Sequence, residues 1–322
     1  MADMDLLTRV VTRARLAPSV HNVQPTRWSL DGEGRILLLD EPAIRLPVAD
    51  PNGRDIAISH GAALEGTLLS LAVEGWTGQV EQAEGALAAI RTAPDTPAAL
   101  PEVESRATWR GNFAPLPDPS ALDRIEAECA DLLLVRGSEA IARVAALGDD
   151  TSMHFLRDDA HRRELRQWMR LTRAHPDWAH DGLNADAMAL NPIEARAAGL
   201  VLGALFGPLD RIGLTSTLLS ERAKTASAAA IALFVRPAGE SPIETGRAFY
   251  RAWLAIERHG LAACPMSVLA DWGETNGLLA TEHGVPAGRA LISVFRIGLR
   301  PRPAATRRAR WEPRQLIRAR LS

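Results

Sequence analysis

The stretch that decides the reading of this chain is Ala14-Arg15-Leu16-Ala17-Pro18-Ser19-Val20-His21-Asn22-Val23-Gln24-Pro25-Thr26-Arg27-Trp28. Pro18 and Pro25 stiffen the backbone, and Ser19, His21, Asn22 and Gln24 hang hydrogen-bonding groups from it between two apolar segments. Such a segment can grip a flat ligand with polar edges. The same residues also suit a plain loop that closes a helix, with Ser and Asn satisfying backbone groups. Spacing alone leaves both readings open.

Upstream, Leu6, Leu7, Val10, Val11 and Ala14 recur at helical spacing, and Pro18 ends that helix at Ala17. Downstream, Trp28 to Leu30 and Arg35 to Leu39 flank Asp31-Gly32-Glu33-Gly34 as the strands of a hairpin. A loop over 47–52 leads into a helix predicted from Arg54 to about Gly75, largely buried because Ile58, Ala62, Leu64, Leu68 and Leu71 are apolar. Gly61 and Gly66 within it suit close helix packing or ligand approach. Ala88 to Arg91 is a further strand. Prolines then break the pattern across 92–104, dividing the chain into an N-terminal half, 1–100, and a C-terminal half, 101–322.

The second half opens with a polar element at 105–113 and a helix from about Ser120 to Ala130. Leu132 to Val135 is a compact strand, and 137–175 is helical with Arg and Asp on its exposed face. Residues 175–190 are polar and irregular, a lid over a site or a surface excursion. Ala197 to Phe206 is a short apolar helix whose Gly199, Gly203 and Gly207 suit close packing. Ala228 to Val235 is a buried strand, Thr245 to His259 a helix, Ala290 to Leu299 a strand, and 300–320 a basic tail. Helices mixed with scattered strands fit an α+β layered fold better than regular βαβ alternation.

Bulk composition narrows the function classes. The chain has 322 residues, 47% hydrophobic and 24% charged, with a net charge of -2, so no global field points to nucleic acid or membrane and any basic site is local. Lys224 is the sole lysine, which makes the positive charge almost all arginine. The longest apolar run is about half of the roughly 20 residues a membrane span needs. Cys129 and Cys264 are far apart and belong to no CxxC pair, which favours a reduced, cytoplasmic protein. No G-x-G-x-x-G follows a strand, and there is no phosphate-binding G-x-x-x-x-G-K-[ST] or nucleophile elbow. The histidines match no zinc pattern, so no metal is expected.

Besides the opening segment, two clusters could bind phosphate. Arg106, Thr108 and Arg110 alternate, so on an extended chain two guanidiniums and a hydroxyl point the same way. Arg307, Arg308 and Arg310 crowd the tail. Arginine forks bind phosphate bidentately, although spacing does not show that the clusters meet. Gly260-Leu261-Ala262-Ala263-Cys264-Pro265-Met266-Ser267 reads as a helix end followed by a turn or strand.

These elements in this order resemble the nitroreductase family of flavin enzymes. Residues 17–28 are similar to its A-P-S-x-x-N-x-Q-P-W element, departing at Thr26 and with Trp28 arriving two residues late. Residues 106–113 resemble its R-R-S-x-R-x-F element, with Thr108 for the serine and the first arginine displaced or missing. The Pro265-Met266-Ser267 turn resembles the one that approaches flavin N5, and the tail arginines resemble a terminal K/R-x-R. Ordinary members split these elements between two subunits. Here the opening element comes first and the arginine element only after residue 105, so the chain resembles the tandem, Acg-like branch, with two degenerate halves forming an internal pseudo-dimer.

The resemblance implies an α+β nitroreductase-like fold and one FMN. Pro18, Ser19, His21, Asn22 and Gln24 would lie on one side of it, and Arg106, Thr108, Arg110, Pro265, Met266, Ser267, Arg307, Arg308 and Arg310 on the other, with a lid near 175–190. It implies electron transfer from NAD(P)H through the flavin to a small organic acceptor such as a nitroaromatic or quinone. The alternative is a protein that sequesters or senses flavin with little turnover. His21 is the one weak candidate for a side chain with a part in the chemistry. A monomer containing the pseudo-dimer and a homo-oligomer both remain open.

Overall fold

The computed structural model describes residues 2–301 and 308–319. It contains two four-stranded antiparallel sheets built to one plan. The first comprises β1 (Thr26–Leu30), β2 (Ile36–Asp40), β3 (Trp76–Glu81) and β4 (Ala88–Pro94), in the order β1-β2-β4-β3. Two short strands, β6 (Met169–Arg170) and β7 (Leu183–Asn184), pair in parallel elsewhere, and the second large sheet takes β5 (Leu132–Val135), β8 (Ala230–Pro237), β9 (Ala262–Pro265) and β10 (Arg289–Gly298) in the order β5-β8-β10-β9. Each sheet therefore runs first, second, fourth, third, and in each a long helix connects the second strand to the third.

Helix α1 (Met4–Ala14) is capped by Asp3, whose carboxylate accepts from the Leu6 amide at 2.8 Å, and it buries Leu6, Leu7, Val10, Val11 and Ala14 against the first sheet. It stops three residues before the predicted end, with a turn covering Arg15 to Ala17. Helix α2 (Arg54–Val73) follows β2, while α3 (Ser138–Arg157) and a second helix, Asp159–Gln167, occupy the predicted helical region. Asp158 divides that region, ending α3 in extended geometry and accepting from the amides of Ala160 and His161. Helix α4 (Pro242–Arg258) follows β8.

Helices α2 and α4 cross with backbone against backbone. A Cβ on Gly61 would lie 2.0 Å from the Ile243 carbonyl oxygen, and one on Gly246 would lie 2.0 Å from the Ile58 carbonyl oxygen. The contact is reciprocal, since each glycine meets the carbonyl three residues before the other. Ala17, Ala62, Val103, Tyr250 and Leu254 close the core beside this crossing. By length and composition α2 could cross a membrane, but 67% of its apolar window is buried within the fold.

Two stretches depart from the sequence reading. Trp76–Glu81, half of it exposed, forms edge strand β3 where no strand was expected. The apolar segment predicted at 197–206 instead gives a helix at Pro192–Val201 and another at Phe206–Arg211, separated by a turn. Ile193, Leu200 and Leu205 there are exposed rather than packed in a core.

Candidate functional site

A cavity of about 330 Å³ opens where α2, α4, the opening loop, the tail and residues 182–187 meet. Its shape begins with the opening loop. Val20–Asn22 make one tight turn, and His21 (φ 43°), Asn22 (φ 59°) and Gln24 (φ 54°) all take left-handed backbone angles. For residues with a Cβ this costs roughly 1–2 kcal/mol each. A dense set of bonds holds the loop there. Ser59 Oγ accepts from the Val20 amide at 3.0 Å, and Ser19 Oγ accepts from the Gln24 amide at 3.0 Å. Asn22 Nδ2 donates to the carbonyls of Gly182 and Ala309, both at 3.0 Å, and Arg310 donates to Asn22 Oδ1. Gln24 Nε2 donates to the His180 carbonyl at 2.8 Å, while its Oε1 accepts from the Trp311 amide at 3.1 Å.

The sequence candidates therefore separate by position. Pro18, Ser19, His21 and Asn22 line the cavity, whereas Gln24, 7% exposed, faces behind the loop and joins it to the 180s and the tail. Burial, reinforced by the charges of His161 and Arg110, pushes His21 down to about 4, so its ring is neutral at physiological pH.

Arg106, Thr108 and Arg110 all line the cavity, as alternation on an extended chain requires. Their segment runs beside β9, with Thr108 bridging Ala263 and the Trp109 amide donating to the Ala263 carbonyl at 3.0 Å. Pro265 and Ser267 reach the same space. Met266 packs its side chain toward Gly148 and donates its amide to the Val294 carbonyl at 2.7 Å. From the tail, Arg308 and Arg310 arrive; Arg307 lies outside the described residues.

Positive charge accumulates here, and among the described residues only the Glu257 carboxylate offers Arg106 and Arg308 a longer-range attraction. Arg106 is 2% exposed, stacks 4.5 Å over the Trp253 ring and donates to the Leu16 carbonyl at 2.7 Å, yet its Nε has no partner. Arg110 donates to the Ala187 carbonyl at 3.0 Å, Arg308 to the Glu104 carbonyl, and Arg310 to Arg15 and Asn22. Among the described residues none of these four guanidiniums forms an ion pair with a carboxylate. Burial, then repulsion from Arg106, pushes Arg308 down to about 10, and burial with repulsion from Arg106 and Arg308 pushes Arg310 down to about 9. Guanidiniums still carry full charge at neutral pH, so this end of the cavity holds an excess of positive charge.

Sequence reasoning missed the helical walls. Asp55, Ile58, Ser59 and Ala62 form one face of α2, and Phe249 and Trp253 one face of α4. Both faces were visible as helical spacing, but nothing in the sequence marked them as facing a cavity. Ile292 and Ser293 reach it at a register shift in β10, the kind of irregularity that re-aims side chains. Asp271, at the end of a short helix, Val268–Asp271, also lines the cavity. It is exposed at the cavity edge, and the surrounding protein and then the charge of Asp55 push its carboxyl up to about 7. Burial and the neighbouring Asp50 lift Asp55 to about 6.

No family model matches the chain. Over 179 residues it is 30% identical to a Mycobacterium tuberculosis protein named "Putative NAD(P)H nitroreductase", known from two strains. Over that stretch the chain is similar to this mycobacterial protein. That alignment covers 52% of each chain, so the match spans about half the length of the curated relative. A second M. tuberculosis relative, the acg nitroreductase, is 34% identical over 82 residues, 26% of this chain and 24% of its own. Among solved structures, the FMN- and NADPH-dependent nitroreductase NfnB of a Sphigopyxis strain aligns with a TM-score of 0.37 and 17% identity, over 65% of this chain and 92% of its own. The FMN-dependent NfnB of Mycobacterium smegmatis, solved with NADPH, aligns with a TM-score of 0.36 and 19% identity, over 62% of this chain and 86% of its own. These structural alignments are too loose to decide the fold, which rests on this chain's own topology.

Proposed function

We propose that this chain is an FMN-binding oxidoreductase of the tandem nitroreductase type, passing electrons from NAD(P)H to a small organic acceptor such as a nitroaromatic or quinone. The observation that carries the proposal is the group of arginines, Arg106, Arg110, Arg308 and Arg310, around one cavity with no carboxylate among the described residues in salt-bridge contact with them. A bound phosphate monoester supplies the missing negative charge and accepts the unpartnered guanidinium donors. Phe249, Trp253 and Ile58 offer apolar surface to an attached ring system, and a cavity of about 330 Å³ falls at the lower end of the range for cofactor sites. The residues present therefore fit FMN. Bound there, FMN would supply the hydride chemistry, and the protein would supply orientation, water exclusion and charge.

The matching plan of the two sheets and the reciprocal crossing of α2 and α4 support the tandem reading, in which each half stands for one subunit of a dimer. Residues 182–187 support the proposed lid, since Gly182, Leu183 and Ala187 wall the cavity while Asn22 and Arg110 bind their backbone. That closure also favours a second reading, in which the protein sequesters flavin with little turnover.

FMN titration followed by visible absorption and fluorescence quenching tests the first claim: binding is expected, and unquenched FMN refutes it. Anaerobic NADH or NADPH then separates the two readings. Bleaching of the bound flavin supports the oxidoreductase, and its persistence supports sequestration.

A further inference from the structure

Away from the cavity, exposed apolar side chains gather in one place. Among the described residues six of the ten exposed large hydrophobics, Ile193, Leu200, Leu205, Ile212, Leu214 and Leu218, lie on or beside three short helices, Pro192–Val201, Phe206–Arg211 and Thr215–Leu218. They form one ridge. The amide of Leu205 donates to the Leu200 carbonyl, that of Leu209 to Leu205, that of Leu214 to Leu209 and that of Leu218 to Leu214, all at 3.0 Å, so each leucine is the backbone neighbour of the one before. Ile193 shares the face of Leu200, two helical turns earlier, and Ile212 sits between Leu209 and Leu214. The same segment has its own inward anchors. Ala195, Leu202, Phe206 and Thr215 are buried, with the Arg162 guanidinium 4.0 Å over the Phe206 ring and the Thr215 hydroxyl donating to Asp210 at 2.6 Å. The ridge is therefore the outer face of a packed segment.

We propose that two copies of this chain associate through the ridge, apolar face against apolar face about a two-fold axis. The proposal is independent of the cofactor reading above. The area fits such a contact. Six residues 43–78% exposed, at about 200 Å² for such a residue fully free, offer on the order of 700 Å², above the roughly 300–600 Å² of a typical monomer's largest patch and near the ~800 Å² that each partner brings to a standard interface. Charge favours a second copy over a lipid surface. Residues 192–218 carry Glu194 and Asp210 against Arg196 and Arg211, two of each sign. The stretch therefore neither repels its own copy nor offers the basic excess that anionic lipid attracts. Glu194 and Arg196, both exposed beside Ile193, give each copy one acid and one base at the rim of a contact that sets the patch against itself.

Analytical ultracentrifugation of the full chain at micromolar concentration tests the proposal, with a species of twice the 34.8 kDa chain mass expected. Ile212→Glu and Leu218→Glu each bring a carboxylate into the apolar contact and should weaken the dimer by about 100-fold or more. Both positions are exposed, and circular dichroism checks that the variants are folded. Leu278→Glu, at an exposed apolar position on a different helix, Gly273–Glu282, should leave the dimer intact. A wild-type chain that stays monomeric overturns the proposal. So does a dimer that survives both ridge substitutions, or one that Leu278→Glu weakens as much.

Hydrogen exchange of the wild-type chain locates the contact without any substitution. Protection of 192–218 should fall on dilution through the dimer transition, and dilution that changes protection only elsewhere overturns the proposal. Flotation with vesicles of phosphatidylcholine and phosphatidylglycerol tests the rival occupant. The protein should stay out of the vesicle fraction; vesicle binding that Ile212→Glu abolishes would assign the ridge to a lipid surface and overturn the second copy.

Discussion

The crossing of α2 and α4 makes Gly61→Ala the most demanding test of this architecture. The new Cβ would meet the Ile243 carbonyl oxygen at 2.0 Å, its carbon at 2.8 Å and the Gly246 Cα at 2.9 Å. The first distance is about 1.4 Å short of the ordinary 3.4 Å contact. None of those atoms belongs to a side chain that can rotate aside, so the helices must separate by about 1 Å. If some 40 atom pairs across the contact each hold about 0.1–0.2 kcal/mol and lose a quarter to a half of it, the cost is on the order of 1–4 kcal/mol. Urea unfolding should show a lower midpoint with an unchanged slope, and the melting temperature should fall by on the order of 2–6 °C. Gly246→Ala, which meets the Ile58 carbonyl at the same 2.0 Å, should cost a similar amount. The double variant should cost clearly less than the sum, because one separation relieves both clashes. Wild-type midpoints in either single variant, or strict additivity in the double, would refute the reciprocal crossing.

Other consequences follow from the site. Arg308→Met should weaken FMN binding tenfold or more, as expected for a lost charge-assisted contact of about 1.5–3 kcal/mol, while riboflavin affinity stays unchanged in equilibrium titrations. Inorganic phosphate should raise the melting temperature of the apoprotein above that in chloride at equal ionic strength, because the arginine end holds an excess of positive charge; equal melting in both salts would count against that charge distribution. The raised carboxyl of Asp271 stabilises the folded state fully below its unfolded value near 3.8, and this stabilisation is lost as pH rises through about 7, so Asp271→Asn should flatten the stability profile across that window. His21 acts in the opposite sense: its contribution is present above 6.5 and is lost as pH falls through about 4. Asn22→Ala should raise amide exchange in 180–187 more than elsewhere, since it removes the bonds to Gly182 and Ala309.

Elements with a strong period were legible in the sequence. The hairpin of β1 and β2, helix α2 and strand β5 emerge close to their predicted bounds because apolar spacing and turn residues agree there. Strand β3 escaped because Gly78, Gln79 and Glu81 give an edge strand little apolar signal, while β9 follows Gly260 where a turn or strand was read. The exposed leucines at 200 and 205 show the converse, since apolar composition does not say which surface a short helix presents. At the site, residue types and order identified the loop and the arginines. The neutral setting of His21 and the raised carboxyls of Asp55 and Asp271 come from three-dimensional surroundings that no local pattern encodes. Ser19, Asn22 and Gln24 also turned out to bond within the protein, so a polar loop residue does not reveal from its type alone whether it serves a ligand or the loop.

The bonds of the opening loop also order the events of folding. Asn22 relies on Ala309 and Arg310, and Gln24 on Trp311, partners 287 or 288 positions away. Ser19 and Ser59 can brace the loop early, but its full set of bonds at Asn22 and Gln24 waits for those residues. A ribosome-bound nascent chain can assemble the first sheet early, but its pocket gains its shape only once the tail is threaded between the loop and the 180s. Completion of the pocket thus belongs to the last stage of maturation, and a truncation just before Arg308 should leave most of the fold intact while abolishing the pocket.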